Sequence, residues 1–356
     1  MKFGIIKERK TPPDRRVVFT PEELKRLKAE HSEAEIKVET SDIRVYDDSQ
    51  YIDAGIEVAD DMTDCDVLFG VKEVPIAALI PNKKYFFFSH TIKKQPYNRD
   101  LLRAILEKNI ELYDHETIVD ATNKRLIGFG RYAGIVGAYN GIRGFGIKYD
   151  LFALPKAETL KTKEDLITRL LRQTLPNIKI VLTGHGKVAM GAKEILDGMK
   201  IKQVSIADYL TKKYSEPVYT QIDTLDYNKR KDGKESSKQD FYQNPQEYIS
   251  DFERFTKVSD VFMAGHFHGN GSPDILTNEM LRAHDNKIQV VADISCDVAG
   301  PIACTTKAST IADPFFGYLP SEHKEVSYTH PASIMVMSVD NLPCELPRDA
   351  SEGFGE

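Results

Sequence analysis

Short apolar runs alternate with amphipathic stretches through the first third of the chain. KFGII (2–6) reads as a strand, and KVET (37–40), CDVLFGVK (65–72), KKYFFFSHT (83–91) and NIELYDHE (109–116) read as four more. Phe19–His31 has helical spacing and a start signal: Thr20 as cap, Pro21 at the first position and Glu23 three residues after the cap. LLRAILEKN (101–109) is a second amphipathic helix. Strand and helix in alternation predict an α/β unit with a mainly parallel sheet over residues 1 to about 120. The polar loop KERKTPPDRR (7–16) leaves the first strand at its carboxyl end, where open α/β sheets bind ligands.

The text then changes. In RLIGFGRYAGIVGAYNGIRGFGIKY, Gly134, Gly137, Gly141 and Gly144 recur every three or four residues and share one helical face. Glycine costs a helix about 1 kcal/mol per site relative to alanine, so this face predicts very close backbone approach, as in a helix wedged between two domains. A competing reading takes Gly128, Gly130 and the following helix as a dinucleotide turn. A second α/β unit starts at TKEDLITRLLRQTL, with Thr162 and Asp165 in capping-box spacing, and continues through strands IKIVLTG, KQVSIAD, DVFMAG, IQVVADIS and SIMVMSV. NKRKDGKESSKQD (228–240) is almost wholly polar and predicts a solvated loop. No internal repeat is visible.

Composition narrows the classes. A chain of 356 residues exceeds what one core usually supports, so two domains are expected. With 48 Lys and Arg against 54 Asp and Glu, the net charge of −6 lacks the basic excess that nucleic acid demands. No stretch reaches the roughly 18 apolar residues of a membrane span, and the N-terminal run is too short for a secretory signal, which makes the cytoplasm the expected location. Four dispersed cysteines without a CxxC pair predict reduced thiols, with neither a disulfide frame nor a zinc site.

The candidate chemistry is redox. IKIVLTG runs into GHGKVAMGAKEIL, which puts Gly184 and Gly186 where a strand becomes a helix that opens with Lys187 and Val188. The third glycine of GxGxxG is replaced by Ala189, a tolerated variant because that position serves packing. Asp208 falls 22 residues after Gly186, the usual offset of a ribose-binding acid, while Lys212 and Lys213 nearby suit a 2′-phosphate, so NAD and NADP both remain open. Lys72 and His90 each follow an apolar strand and so lie at carboxyl ends of neighbouring parallel strands. A lysine desolvated in such a place and a histidine are suited to moving protons near neutrality. Asp293 and Asp297 end another strand, where acids touch a ribose or cap a helix. His266 and His268 lack a third ligand at recognisable spacing, so no metal is expected.

SHTIKKQ, the 112–138 stretch LYDHETIVDATNKRLIGFGRYAGIVGA and SVDNLPCELPRDASEGFG at the end closely resemble the saccharopine dehydrogenases and the lysine-ketoglutarate reductases, a branch of the alanine dehydrogenase and transhydrogenase N-terminal superfamily. TGHGKVAMGAKEIL, NPQEYISDF and ADISCD are similar to the reductase as well, so the resemblance spans essentially the whole chain. It implies two Rossmann-like, doubly wound α/β domains with a cleft between them: a catalytic domain of residues 1–130 plus a returning 325–356, and a dinucleotide-binding domain of residues 131–324. It further implies Lys72 and His90 as acid/base groups, Arg16 binding a substrate carboxylate, and Glu73, Gln95, Glu116 and Phe129 lining the site. Arg125, Gly186, Lys187 and Asp293 match cofactor-contacting positions, and Gly265, His266 and Phe267 lie on a strand end that faces nicotinamide and substrate.

The implied activity is NAD(P)-dependent interconversion of lysine plus 2-oxoglutarate with saccharopine, through an imine and hydride transfer. An alanine-dehydrogenase-like deaminase and a silent nicotinamide-binding sensor or transhydrogenase-type subunit are the alternatives. The expected partners are small molecules, an amino acid and a 2-oxo acid, with no nucleic acid and no membrane. Direction and oligomeric state stay open.

Overall fold

The computed structural model describes residues 1–123 and 125–356. The chain divides into two compact units, Met1–Phe129 with Pro347–Glu356, and Gly130–Leu346.

The first unit is built on six parallel strands: β1 (Lys2–Ile5), β2 (Glu35–Glu39), β3 (Glu57–Ala59), β4 (Val67–Phe69), β5 (Lys84–Phe87) and β6 (Glu111–Asp114). Their spatial order is β3-β2-β1-β4-β5-β6, so the winding reverses between β1 and β4. Ligands of such sheets bind at that reversal, outside the carboxyl ends of the strands. Three helices accompany them, α1 (Pro21–Glu30), α2 (Asp48–Asp53) and α3 (Arg99–Glu107). The predicted capping box at α1 forms: Glu23 N donates to Thr20 Oγ1 at 3.3 Å, and Thr20 N donates to the Glu23 carboxylate at 2.7 Å. Leu68, Tyr85 and Phe87 bury one sheet face against Leu101, Ala104 and Ile105 of α3, while Ile5 and Val38 bury the other beside Leu24 of α1.

The second unit opens with α4 (Gly130–Lys148) and α5 (Lys163–Leu170), followed by β7 (Lys179–Thr183), α6 (Lys187–Gly198), β8 (Lys202–Gln203), α7 (Ile206–Thr211) and β9 (Val218–Ile222). Then come β10 (Asn228–Arg230), α8 (Lys238–Gln243), β11 (Tyr248–Ser250), α9 (Glu253–Thr256), β12 (Val261–Ala264), α10 (Asn278–Arg282), β13 (Val290–Asp293), β14 (Phe315–Leu319), β15 (Lys324–Val326) and β16 (Ile334–Met337). Eight of these strands form a sheet in the order β15-β14-β16-β13-β12-β7-β9-β8, parallel from β16 to β8, with β14 antiparallel to both of its neighbours. The last helix, α11 (Pro347–Gly355), packs with the first unit, where Ser351 Oγ accepts from Val17 N at 2.9 Å.

The glycine face of α4 serves packing within the second unit. A Cβ at Gly134 would stand 1.8 Å from the Val188 carbonyl oxygen of α6, and one at Gly141 would stand 2.9 Å from Ala292 Cβ on β13. Only glycine lets the two backbones approach that closely.

Three expectations change. The strand KQVSIAD is only β8, because Ser205 caps a helix that begins at Ile206 and holds Asp208 in its first turn. The returning segment begins at Pro347 rather than 325, since β16 is buried between β13 and β14. Residues 231–237 are the exposed loop that the composition predicts, while Asn228–Arg230 form β10, paired with β11, and Arg230 bridges Asp232 and Asp240. Finally, α4 lies against the second unit's own helix α6 and sheet, which is sufficient reason for its glycines. Among the described residues no helix is long and apolar enough to cross a membrane.

Candidate active site

In the first unit, the carboxyl ends of β1, β4, β5 and β6 lie side by side and deliver Glu8, Lys72 with Glu73, His90, and Glu116 in turn. Glu8 is buried and accepts from Val71 N at 2.7 Å and Lys72 N at 2.9 Å, so the loop that carries Lys72 is tied to the end of β1. Burial, and next the nearby Asp14, pushes Glu8 up to about 7.

Burial also lowers the Lys72 ammonium below the ordinary lysine value; Arg16 and Lys10 add to this, while Glu73 and Asp14 oppose it. A lysine whose charge is disfavoured in this way can take and give protons near neutral pH.

His90 adopts a left-handed backbone, φ 55°. Asp114 sits behind it, accepting from Ser89 Oγ with one carboxylate oxygen and from Glu116 N at 2.8 Å with the other. His90 Nδ1 lies 3.1 Å from Glu116 and Nε2 lies 3.7 Å from Glu73. Burial lowers the imidazole; the bond to Glu116 works against that, and Lys72 reinforces it. Glu116 faces three cationic groups, with Arg125 at 3.1 Å and Lys93 at 3.6 Å besides His90. Burial favours its neutral form, yet these partners outweigh it and hold the carboxyl below its usual range.

Arg16 is 2% exposed, with Nε and Nη2 on Asp14 at 3.0 and 2.6 Å and its guanidinium 4.1 Å above the Phe129 ring. Phe129 in turn stacks on Phe354 of α11 at 4.6 Å. Gln95 is exposed. Lys72, His90, Glu73, Glu116 and Arg125 therefore form one cluster, with Arg16 and Phe129 packed as a plane within the same unit.

In the second unit, β7 turns into α6 through Gly184, whose φ is +93° and where a Cβ would meet the Gly265 carbonyl oxygen at 2.7 Å. Gly186 is the cap of α6 and nothing lies within 4 Å of a Cβ built there, so the backbone is open to a ligand. Lys187 and Val188 supply the first helical amides, and the first turn holds no acid. A cavity of about 500 Å³ is lined by this turn, by Asp223, Tyr227, Lys238 and Tyr242, and by Gly265, His266 and Phe267. An open glycine cradle at a helix N-terminus fits a pyrophosphate.

Asp208 does not reach this cavity; it is half exposed on α7, paired with Lys212 at 3.0 Å. The strand hydrogen-bonded beside β7 is β9, and the acid that follows it is Asp223, which the sequence reading passed over.

Asp293 is fully buried and serves its own loop, accepting from Ser295 Oγ and Thr305 Oγ1, both at 2.6 Å. Asp297 and Asp274 face His268, and burial lowers that imidazole against them. His266 is buried with Nδ1 2.8 Å from Thr183 Oγ1, and burial together with His268 pushes it down to about 3. Phe267 is 82% exposed. Among the described residues no group of three or more His, Cys, Asp or Glu is arranged to hold a metal.

Residues 4–136 match the family described as alanine dehydrogenase/PNT, N-terminal domain. Alpha-aminoadipic semialdehyde synthase of Arabidopsis thaliana is 29% identical across 99% of this chain. Saccharopine dehydrogenase [NAD(+), L-lysine-forming] of Yarrowia lipolytica is 24% identical across 97% of this chain and 87% of its own length. Residues 4–136 are thus similar to the alanine dehydrogenase/PNT N-terminal domain, and the chain over nearly its whole length is similar to saccharopine dehydrogenases and alpha-aminoadipic semialdehyde synthases. It spans only 37% of the length of the plant synthase. The fold agrees: an L-alanine dehydrogenase structure superposes with a TM-score of 0.65 over 99% of this chain and 86% of that one, at 15% identity. Lys72 and His90 stand at neighbouring strand ends of the first unit, and His266 and His268 follow β12.

Proposed function

We propose that the chain is an NAD(P)-dependent oxidoreductase acting on CH–NH donors, and that it interconverts L-lysine plus 2-oxoglutarate with saccharopine. The observation that carries this reading is the pair Lys72 and His90 at the ends of β4 and β5, both lowered by burial and both flanked by carboxylates that oppose that shift, Glu73 and Asp14 at Lys72 and Glu116 and Glu73 at His90. Two adjacent groups able to take and give protons are what a reaction with several proton transfers requires.

Condensation of an amine with a keto group needs a proton removed from nitrogen and another given to the departing oxygen. Lys72, held by the Glu8-anchored loop and with its charged form disfavoured, is the base for the amine. His90, steadied at Nδ1 by Glu116, delivers a proton from Nε2 as water leaves. When bound, the nicotinamide supplies the hydride that reduces the imine carbon. Lys10, Lys93 and Arg125 provide cationic groups for substrates with several carboxylates, with the Arg16 guanidinium held in place by Asp14. The Gly184–Gly186 turn holds the pyrophosphate on the amides of α6.

The test is nicotinamide oxidation followed optically with lysine plus 2-oxoglutarate, and separately with pyruvate plus ammonia. Turnover with the lysine pair and loss of it in Lys72→Met supports the reading. Turnover only with pyruvate and ammonia replaces it with an alanine-dehydrogenase-like activity, and cofactor binding without turnover of either pair replaces it with a sensor.

A further inference from the structure

His115 carries no motif and takes no part in the mechanism above, yet it is only 3% exposed in the first unit. It follows β6 directly, where the Asp114 carboxylate accepts from Glu116 N at 2.8 Å and turns the chain. Its ring meets Phe88 edge-on at 5.2 Å and Phe354 of α11 edge-on at 5.3 Å. Nε2 reaches past β5 to stand 3.1 Å from the Gly70 carbonyl oxygen at the end of β4. A carbonyl only accepts, so Nε2 carries the hydrogen. Nδ1 is buried without a hydrogen-bond partner among the described residues. Burial lowers the imidazole, while the Gly70 bond and Asp114 work against that. A second proton would leave an unpaired charge in the interior, so the ring is a neutral donor.

Gly70 stands two residues before Lys72, and the peptide between Gly70 and Val71 is held at both ends. His115 takes its carbonyl, and Glu8 takes its amide at 2.7 Å. The next peptide is held in the same way: Lys72 N donates to Glu8 at 2.9 Å, and the Val71 carbonyl accepts from Phe88 N at 3.0 Å. The turn that delivers Lys72 is therefore gripped from the ends of β1, β5 and β6 at once. The Phe88 ring, packed by His115 and Phe354, lies 5.9 Å from Lys72 Nζ and 6.1 Å from the His90 ring, which stacks on it.

We propose that His115 is a positioning residue for the proton pair: as a neutral Nε2–H donor to the Gly70 carbonyl, wedged in place by Phe354, it fixes the turn that delivers Lys72 to the cluster. It acts through Lys72 and touches no substrate. This rests on the reading of Lys72 as the base. Without the donor the turn relaxes, the ammonium gains water, and its proton affinity returns towards that of an ordinary lysine, so less of the free base is present at neutral pH.

The experiment follows Lys72 by NMR pH titration of its side-chain carbon signals in the full chain with no cofactor or substrate, assigned with Lys72→Met, for wild type, His115→Met, His115→Gln and Phe354→Leu. His115→Met keeps the bulk and removes the donor, so the Lys72 midpoint rises by about 0.5–1 pH unit, part of the shift that burial imposes on a lysine. His115→Gln returns an N–H at similar reach and restores most of the wild-type midpoint. Phe354→Leu, at a half-buried position, loosens the wedge and gives a smaller rise. In turnover of lysine plus 2-oxoglutarate at neutral pH, His115→Met lowers kcat by about 3- to 10-fold, as a base titrating that much higher implies, while KM for the nicotinamide holds. A Lys72 midpoint unmoved in His115→Met, or raised equally by Met and Gln, overturns the proposal. If His115→Met does not fold, Phe354→Leu decides: a raised midpoint upholds the proposal and an unmoved one overturns it. A wild-type Lys72 that titrates as an ordinary lysine overturns the base reading and the proposal together. The stated shifts in a protein that turns over no lysine uphold the positioning role and sink only the saccharopine assignment.

Discussion

Replacing Glu116 by Gln keeps the shape of the side chain and deletes one charge. The wild-type carboxylate has one oxygen 3.1 Å from His90 Nδ1 and the other near Arg125 and Lys93. In the variant those two cations stay, uncompensated, beside the imidazole. An opposite charge within about 4–6 Å typically moves a pKa by about 1–3 units, and each unit is worth about 1.4 kcal/mol. His90 already lies below the usual histidine value because it is buried, so Glu116→Gln pushes it further down, by about 1–2 units. The protonated form at neutral pH then falls by about 10- to 100-fold, and a step that needs His90 as acid slows in proportion. The direct assay is an NMR pH titration of the His90 ring in the free protein, assigned with His90→Gln; the pH–rate profile serves as a second readout, its His90-governed limb moving to lower pH. A His90 midpoint that is unchanged or higher in Glu116→Gln refutes the reasoning.

Three further outcomes follow from the same geometry. Glu8→Ala leaves the amides of Val71 and Lys72 without their buried acceptor, so kcat falls by about tenfold or more while cofactor affinity, measured by titration, holds; equal losses in both readouts contradict the assigned role. Gly134→Ala drives a methyl group to within 1.8 Å of the Val188 carbonyl oxygen, which costs more than the ~1 kcal/mol that alanine adds to helix stability, and Tm falls; a Tm at or above wild type contradicts the packing. His266, held down to about 3 by burial, contributes stability that is present above pH 6.5 and is lost as the pH falls from there towards 3, with a slope of up to about 1.4 kcal/mol per pH unit; in His266→Gln chemical denaturation should show that slope removed.

Features that depend on neighbours in sequence were legible. The Thr20 capping box, the strand that runs into Gly184 and the positions of Lys72 and His90 each follow from local pattern, and all four stand where that pattern put them. Features that depend on which strand lies beside which were not. Asp208 has the usual spacing from the glycine turn, yet Ser205 starts a helix there and β9 takes the place next to β7, so the acid at the cavity is Asp223. Glu8 and Asp114 carry no motif; their roles arise because β1 adjoins β4 and β6 adjoins β5. Residues 231–237 are exposed as their polar composition suggests, while the pairing of β10 with β11 and the Arg230–Asp240 bridge depend on neighbours in space. The glycines of α4 announced close approach but not its partner, which is the backbone of α6.

The central claim is that this chain moves a hydride to the carbon that joins an amine and a 2-oxo acid. Its most direct test uses a nicotinamide deuterated at the transferring carbon, lysine and 2-oxoglutarate, with mass spectrometry of the amino-acid product. The account predicts a saccharopine species heavier by one deuterium, absent in Lys72→Met. Deuterium recovered in alanine when pyruvate and ammonia are supplied, with none in saccharopine, contradicts it.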